Sequence, residues 1–199
     1  MHPLVLDGHS LTLAQIDAFL SEGARVSVAP EALARVRACA GICERLAESD
    51  TPHYGINTGF GKFARTRVAP ADARALQLNL VRSHATAMGP ALDDDWVRLM
   101  MLMRANSLVI GNSGVSEELV NLLVAMVNAG IAPVVPCYGS VGASGDLAPL
   151  AHVSLALVGE GEVSVRGKRM PARDALRAAG VKPLVLRAKE GLALINGTQ

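Results

Sequence analysis

The sequence predicts a mainly α-helical protein with a few short strands. Apolar residues recur three or four positions apart over most of the chain, whereas strand-like alternation is confined to short stretches. Residues typical of helix starts and ends punctuate the periodic runs. The predicted helices cover residues 11–20, 30–46, 70–87, 93–110, 116–130 and 146–158.

The helix limits follow from residues with known end preferences. Gly23 is suited to end the first helix, and Pro30 is suited to begin the second. Pro70 opens the third helix in the same way. The acidic residues 93–95 begin the fourth, where the helix dipole favours negative charge, and Ser116 begins the fifth.

Strand and loop signals are few. Residues 4–6 read as a short strand, and residues 162–170 read as a small hairpin around Arg166-Gly167-Lys168. The longest irregular stretch, residues 51–67, is rich in glycine and polar residues. Loops of that length inside a compact domain are often functional.

Composition and charge narrow the classes of function. The 199 residues suit a single unit spanning 1–199, and a net charge of +1 gives no basis for binding nucleic acid or an anionic membrane. Residues 119–135 are interrupted by Asn, Gly and Pro, and fall short of the roughly 20 apolar residues of a membrane span. Three cysteines and no signal-peptide pattern predict a cytoplasmic protein.

The sequence indicates no metal or nucleotide site. It contains no His-Glu-X-X-His, and no Gly-X-Gly-X-X-Gly after a strand. Cys39 and Cys43 lie one helical turn apart, but no further cysteine or nearby histidine completes a ligand set, so they are predicted to be small core residues.

The most informative segment, residues 139–152, reads Gly-Ser-Val-Gly-Ala-Ser-Gly-Asp-Leu-Ala-Pro-Leu-Ala-His. Its small residues let the backbone fold tightly on itself. If the amide nitrogen of Gly145 approaches the carbonyl carbon of Ala143, a five-membered ring can close. Loss of water from that ring and from Ser144 leaves a dehydroalanine inside an imidazolone, which is a strong electrophile. The alternative is a glycine-rich turn leading into a helix that starts near Asp146.

This segment resembles the signature of the aromatic amino acid ammonia-lyases, and within that family it is most similar to the histidine-specific members. The match is specific because it is long and contiguous. The resemblance implies that Ala143, Ser144 and Gly145 form a methylidene imidazolone group (MIO) autocatalytically, without an external cofactor. It also implies the N-terminal helical domain and the start of the central helical region of the ammonia-lyase fold.

Two further residues gain roles from the same resemblance. Asp146 follows the ring directly, and either assists ring closure or dehydration or caps the next helix. Tyr54 begins Tyr-Gly-Ile-Asn-Thr-Gly-Phe-Gly, which resembles a family segment whose tyrosine takes the β-proton of the substrate. A phenol with a pKa of about 10 needs help to act near neutral pH. Taken alone, Tyr54 reads as a tyrosine packed under a glycine-rich loop.

The expected substrate rests on a dipeptide. Ser83-His84 resembles the histidine-specific pattern, in which this position lines the pocket for the substrate side chain. Tyrosine-specific bacterial members tend to have His-Leu there, and phenylalanine-specific members Phe-Leu. Taken alone, His84 continues an apolar helical stripe and reads as a core residue. Asn196 also matches the family, which implies contact with the MIO ring or the substrate, whereas alone it reads as a turn-forming Asn-Gly.

The resemblance covers only the first part of the family's length, so the chain is expected to be an N-terminal portion that is inactive alone. It implies elimination of ammonia from L-histidine to give trans-urocanate, and a homotetramer that acts on a small amino acid. Two alternatives stay open: a lyase or aminomutase acting on tyrosine or phenylalanine, and a folded piece that forms no MIO. Exposed apolar faces are expected, where later helices of the family would pack.

Overall fold

Eight α-helices dominate the computed structural model, which describes residues 3–142 and 144–197. They are α1 (Leu13–Glu22), α2 (Pro30–Glu48), α3 (Pro70–His84), α4 (Asp94–Leu108), α5 (Glu117–Ala129), α6 (Leu147–Leu157), α7 (Ala172–Ala178) and α8 (Glu190–Ile195).

Seven short strands form three small sheets among the described residues. The strands are β1 (Leu4–Leu6), β2 (Val26–Val28), β3 (Met88–Ala91), β4 (Ile131–Pro133), β5 (Pro136–Tyr138), β6 (Glu162–Val165) and β7 (Lys168–Pro171). β1 pairs with β2 in parallel, β3 pairs with β5 antiparallel, and β4, β6 and β7 form an antiparallel sheet in that order.

Local sequence explains where several helices begin and end. Thr12 accepts a hydrogen bond from the N–H of Gln15, and the Gln15 side chain accepts one from the N–H of Thr12, which is a capping box. The Ser116 hydroxyl caps α5 by accepting a hydrogen bond, at 3.2 Å, from the N–H of Leu119 in the first turn of the helix. Both α1 and α5 end at a glycine with positive φ, Gly23 and Gly130, because that conformation strains other residues.

Helix α5 lies at the centre of the core. It packs along α4 and against β4, and its side chains Leu119, Leu123 and Met126 are fully buried. Each such side chain contributes roughly 1.5–3 kcal/mol through burial. A second group, formed by α3, α6 and α8, packs together beside this core and carries the candidate site.

The six predicted helices are all present, with ends displaced by a few residues. The third is shorter than predicted, because α3 ends at His84 and the chain then enters β3. The strand at residues 4–6 and the hairpin are confirmed. Helices α7 and α8 and strands β2 to β5 are not predicted. The two helices have seven and six residues, which are too few for two turns of periodicity. The four strands have three or four residues each and lack a clear turn signal of the kind that marks the hairpin.

Apolar side chains remain on the surface of the described residues, as expected. Trp96 and Met103 on α4 are 60% and 45% exposed, and Val141 in the loop before α6 is 88% exposed. Across residues 3–142 and 144–197, no helix combines the length and apolar character needed to cross a bilayer.

Candidate active site

Ser144 lies in the loop that joins β5 to α6, and its side chain is exposed. Gly142 and Gly145 have φ values of +70° and +90°, in the region that favours glycine. Glycine is thereby favoured two positions before and one position after Ser144. Ala143, the first residue of the predicted ring, lies outside the described residues.

Ser144 and Gly145 share a cavity of about 340 Å³ with Ser83 and His84 at the end of α3. The other residues around it are Thr86, Gly139, Val141, Leu147 and Ala148. This volume lies within the roughly 300–1,000 Å³ typical of small-molecule sites. A larger cavity of about 790 Å³ lies between α5 and the segment around β2. The residue chemistry, not the size, therefore singles out the Ser144 cavity.

Close packing at Gly139 holds the loop against the chain that follows α3. A Cβ atom at this position would lie 2.6 Å from the Cβ of Ala87 and 3.2 Å from the Cβ of Ala148. Only glycine fits without displacing backbone or methyl groups. The start of the loop that carries Ser144 is thereby fixed beside the segment that follows His84.

Asp146 occupies the N-cap position of α6, but its side chain makes no capping hydrogen bond. Its carboxylate instead accepts a hydrogen bond from the hydroxyl of Ser140, at the other end of the loop. Asp146 is therefore the N-cap residue by position, while its side chain bonds to Ser140 and not to a first-turn N–H group of α6. The carboxylate ties the two ends of the loop together.

His84 is half-buried and oriented by its own helix. Its Nδ1 atom lies 2.9 Å from the carbonyl oxygen of Leu80 and 3.1 Å from the hydroxyl of Ser83. Because a carbonyl only accepts, Nδ1 carries the proton in this contact, and in the neutral ring Nε2 is an acceptor. His84 is therefore not enclosed in the core, as its helical stripe alone would suggest, and its side chain lines the cavity at the end of α3.

Tyr54 lies at the surface of the long loop between α2 and α3. Its side chain is 53% exposed, and its ring meets Phe60 edge-on, with centroids 6.2 Å apart. Tyr54 is not among the residues that line the Ser144 cavity. The described cavity therefore brings together Ser144 and His84 but not the predicted base.

The segment after Tyr54 is anchored by the buried side chain of Asn57. Asn57 is 2% exposed, and its amide donates to the carbonyl oxygens of Leu46, Ser49 and Thr51 at 3.0–3.1 Å. Its side-chain oxygen accepts from the N–H of His53 at 2.7 Å. Asn57 thus ties the loop to the end of α2.

Asn196 follows α8 directly and is exposed. Its carbonyl oxygen accepts a hydrogen bond from the partly buried guanidinium of Arg104 at 3.0 Å, and the same guanidinium donates to the carbonyl of Ala193. Gly197 and Asp146 line a second, largely apolar cavity of about 490 Å³. Asn196 therefore lies near the Asp146 side of the loop, and not in the described wall of the Ser144 cavity.

Burial lowers the pKa of the Arg104 guanidinium to about 10. The charge stays in place at neutral pH because the two carbonyls at the end of α8 accept from it, and because a helix C-terminus favours a cation. Arg104 therefore fixes the backbone from which Asn196 extends.

The sequence does not single out Asn57, Arg104 or the buried Gln77. A signal exists for Gln77, because a polar residue within a buried helical stripe (here Ala73, Gln77 and Val81) predicts a buried hydrogen-bonding role. Over the described ranges, no group of three or more His, Cys, Asp or Glu side chains is placed to hold a metal ion.

Comparisons of the sequence with known proteins all point to the same family. The model of the family described as aromatic amino acid lyase matches residues 11–199. Histidine ammonia-lyase from Geobacillus thermodenitrificans is 51% identical over 196 residues, which cover 98% of this chain and 39% of that protein. The chain therefore spans about 39% of the length of this relative.

Two solved structures share the fold. The crystal structure of histidine ammonia-lyase from Trypanosoma cruzi superimposes with a TM-score of 0.91 at 40% identity, covering 99% of this chain and 38% of that one. Tyrosine aminomutase from Streptomyces globisporus superimposes with a TM-score of 0.92, also at 40% identity, covering 99% of this chain and 37% of that one.

Proposed function

The chain belongs to the aromatic amino acid lyase family, and from that membership we propose that it forms part of a histidine ammonia-lyase. The reaction eliminates ammonia from L-histidine to give trans-urocanate. A base removes the β-proton, the released electron pair forms the carbon–carbon double bond, and the carbon–nitrogen bond breaks. The observation that carries the proposal is that Ser144 and His84 line one cavity.

We propose that the MIO group forms from Ala143, Ser144 and Gly145. The described residues fit it, because Gly142 and Gly145 adopt positive φ, and Gly139 leaves no room for a side chain. Once formed, the group supplies an electrophilic carbon that turns the substrate amine into a better leaving group.

The residues around the loop support its formation electrostatically. Helix α6 begins directly after Asp146, so its positive end favours negative charge that develops on the loop. The Asp146 carboxylate, held by Ser140, is proposed to accept a proton during ring closure or dehydration. These contributions come from the chain itself and need no external cofactor.

We propose that His84 orients the substrate imidazole. With Nδ1 donating to Leu80, Nε2 is available to accept a hydrogen bond from the N–H of that imidazole. Tyr54 is proposed to take the β-proton, and the Asn196 amide to contact the ring or the substrate. Both residues lie on segments held by hydrogen bonds from another side chain, the buried Asn57 for Tyr54 and the partly buried Arg104 for Asn196.

Two other functions compete with this one. A tyrosine or phenylalanine lyase or aminomutase has the same fold, since the tyrosine aminomutase structure superimposes as well as the histidine ammonia-lyase structure does. His84 favours histidine over phenylalanine, because its imidazole offers a hydrogen-bond partner that phenylalanine cannot use. The resemblance of the Ser83-His84 pair to the histidine-specific pattern favours histidine over tyrosine. A folded chain that forms no MIO is the second alternative.

We further propose a cytoplasmic homotetramer, in which other residues of the full-length protein and of neighbouring subunits complete each active site. The exposed apolar side chains of Trp96 and Met103 support association, because large exposed apolar groups mark interaction surfaces. Sedimentation of the complete gene product checks the assembly, and a monodisperse monomer contradicts it.

The experiment that tests the function uses the complete product of the gene that encodes this sequence. We expect urocanate absorbance to rise with L-histidine, and product absorbance to rise far less with L-tyrosine or L-phenylalanine. Ser144→Ala is the matched control and is expected to be inactive. Activity on tyrosine or phenylalanine without activity on histidine contradicts the substrate, and inactivity on all three favours the non-catalytic alternative.

A further inference from the structure

Gln77 is a buried side chain at which three structural elements meet. It lies on α3 and is 1% exposed. Its Oε1 accepts a hydrogen bond from the N–H of Leu192 on α8 at 3.1 Å. Its Nε2 donates to the carbonyl oxygen of Gly55 at 3.5 Å, in the loop that carries Tyr54. One amide group therefore joins α3, α8 and that loop.

Two glycines allow the three elements to approach one another closely, and a side chain at either position would collide with a neighbouring element. A Cβ atom at Gly191 would lie 2.6 Å from the backbone oxygen of Gln77. A Cβ atom at Gly55 would lie 2.4 Å from a methyl carbon of Leu192. The three elements are therefore closely packed around Gln77, whose amide supplies the side-chain hydrogen bonds between them.

Each element joined by Gln77 carries a residue of the proposed site. Tyr54 directly precedes Gly55. Asn196 lies one helical turn beyond Leu192, and its N–H donates to the Leu192 carbonyl at 3.0 Å. His84 lies two turns beyond Gln77 on the same face of α3. Gln77 therefore supplies a side-chain link between the segments that carry Tyr54, Asn196 and His84.

We propose that Gln77 is a positioning residue that sets the placement of Tyr54 relative to Asn196 and His84. Gln77 touches no reacting atom and acts through Gly55 and Leu192. This inference rests on the proposed ammonia-lyase function. A base must lie within hydrogen-bond reach of the proton that it removes, so a small displacement of the Tyr54 loop lowers kcat more than it changes KM.

Replacing the Gln77 amide by a carboxyl group gives a variant whose activity should depend on pH. Gln77→Glu keeps the shape and the acceptor for the Leu192 N–H, but an ionised carboxylate places a second oxygen against the Gly55 carbonyl. A protonated carboxyl can donate to that carbonyl as the amide does. Burial raises the pKa of a carboxyl above its ordinary value of about 4.3, so the protonated form gains population as pH falls toward about 6.

The experiment measures kcat and KM for L-histidine on the complete gene product from about pH 6 to 9. For Gln77→Glu we expect kcat to be about 10- to 100-fold below the wild-type kcat at high pH, and to approach the wild-type value as pH falls. Gln77→Met, which makes neither hydrogen bond, is expected to be low at every pH. Leu76→Met on the same helix is the matched control and is expected to retain wild-type kcat.

The two proposals fail in different ways. Wild-type protein that eliminates no ammonia from histidine contradicts the proposed function, whatever the variants do. Active wild type with a Gln77→Glu ratio that stays flat across the pH range overturns the positioning role alone. If Gln77→Met does not fold, the pH series on Gln77→Glu still decides, and thermal midpoints taken at each pH separate a loss of folded protein from a loss of kcat.

Discussion

The Nδ1 atom of His84 lies 2.9 Å from the carbonyl oxygen of Leu80, in the last turn of α3. This contact assigns the proton to Nδ1 and makes Nε2 the acceptor in the neutral ring. The helix backbone thus orients a side chain that lines the cavity beside Ser144. Substrate choice in the proposed enzyme therefore depends on which ring atom of His84 meets the substrate.

Substitutions at His84 should distinguish its two nitrogen atoms. Gln places its amide near the Nε2 position, whereas Asn places it near Nδ1. We expect His84→Gln to retain more activity on histidine than His84→Asn, and His84→Leu to lose about 10- to 100-fold in kcat/KM, the equivalent of about 1–3 kcal/mol for an unpaired polar group. Steady-state kinetics check this, and equal activity of the Gln and Asn variants contradicts the role of Nε2.

Tyr54→Phe removes only the proposed proton acceptor. Its ring can keep the edge-on contact with Phe60, so the fold should be unaffected. We expect kcat on histidine to fall by about 10²- to 10⁴-fold, as loss of a general base does, with little change in KM. The exposed Tyr138 offers a control, since Tyr138→Phe should leave kcat unchanged. A similar fall in both variants would argue against a specific base.

Asn57→Asp tests the anchor beneath the Tyr54 loop. The substitution keeps the shape, but it turns a donor that faces three carbonyl oxygens into an acceptor. We expect the free energy of unfolding in urea to fall by about 2–4 kcal/mol. Asn79→Asp, at an exposed position on α3, should change it by less than about 0.5 kcal/mol. Equal effects at the two positions would show that Asn57 is not an anchor.

Stability should depend on pH through His152. Burial lowers its pKa from the ordinary 6.5, and its Nε2 has no hydrogen-bond partner among the described residues. As pH falls below about 6.5, the unfolded chain takes up a proton before the folded chain does, so the free energy of unfolding decreases. Urea unfolding at a series of pH values checks the slope. His152→Leu should flatten it, and an unchanged slope contradicts the assignment.

Much of the fold follows from local sequence. Pro30, Ser116 and Gly130 each mark a helix end through local interactions within one turn, and the structure places helix ends at all three. Helix α8 does not follow from such signals, because its six residues are held by distant partners. Gln77 accepts from the N–H of Leu192, a contact that only tertiary packing creates.

The candidate site likewise has features that local sequence predicts and features that it does not. The glycines near Ser144 predict backbone conformations that other residues rarely adopt, and Gly142 and Gly145 do have positive φ. That His84 faces the same cavity could be expected only by resemblance, because residue spacing does not reveal which face of α3 meets the loop. The Asp146–Ser140 hydrogen bond depends on the path of the loop, which no local rule specifies.

The central claim is that Ser144 becomes the electrophile of a histidine ammonia-lyase, and the intact mass of the complete gene product tests it most directly. We predict a mass lower than that of the unmodified sequence by about twice the mass of water, since the ring and Ser144 each lose one water. Ser144→Ala should lack the loss that depends on the serine hydroxyl. A wild-type protein with the unmodified mass would contradict the claim.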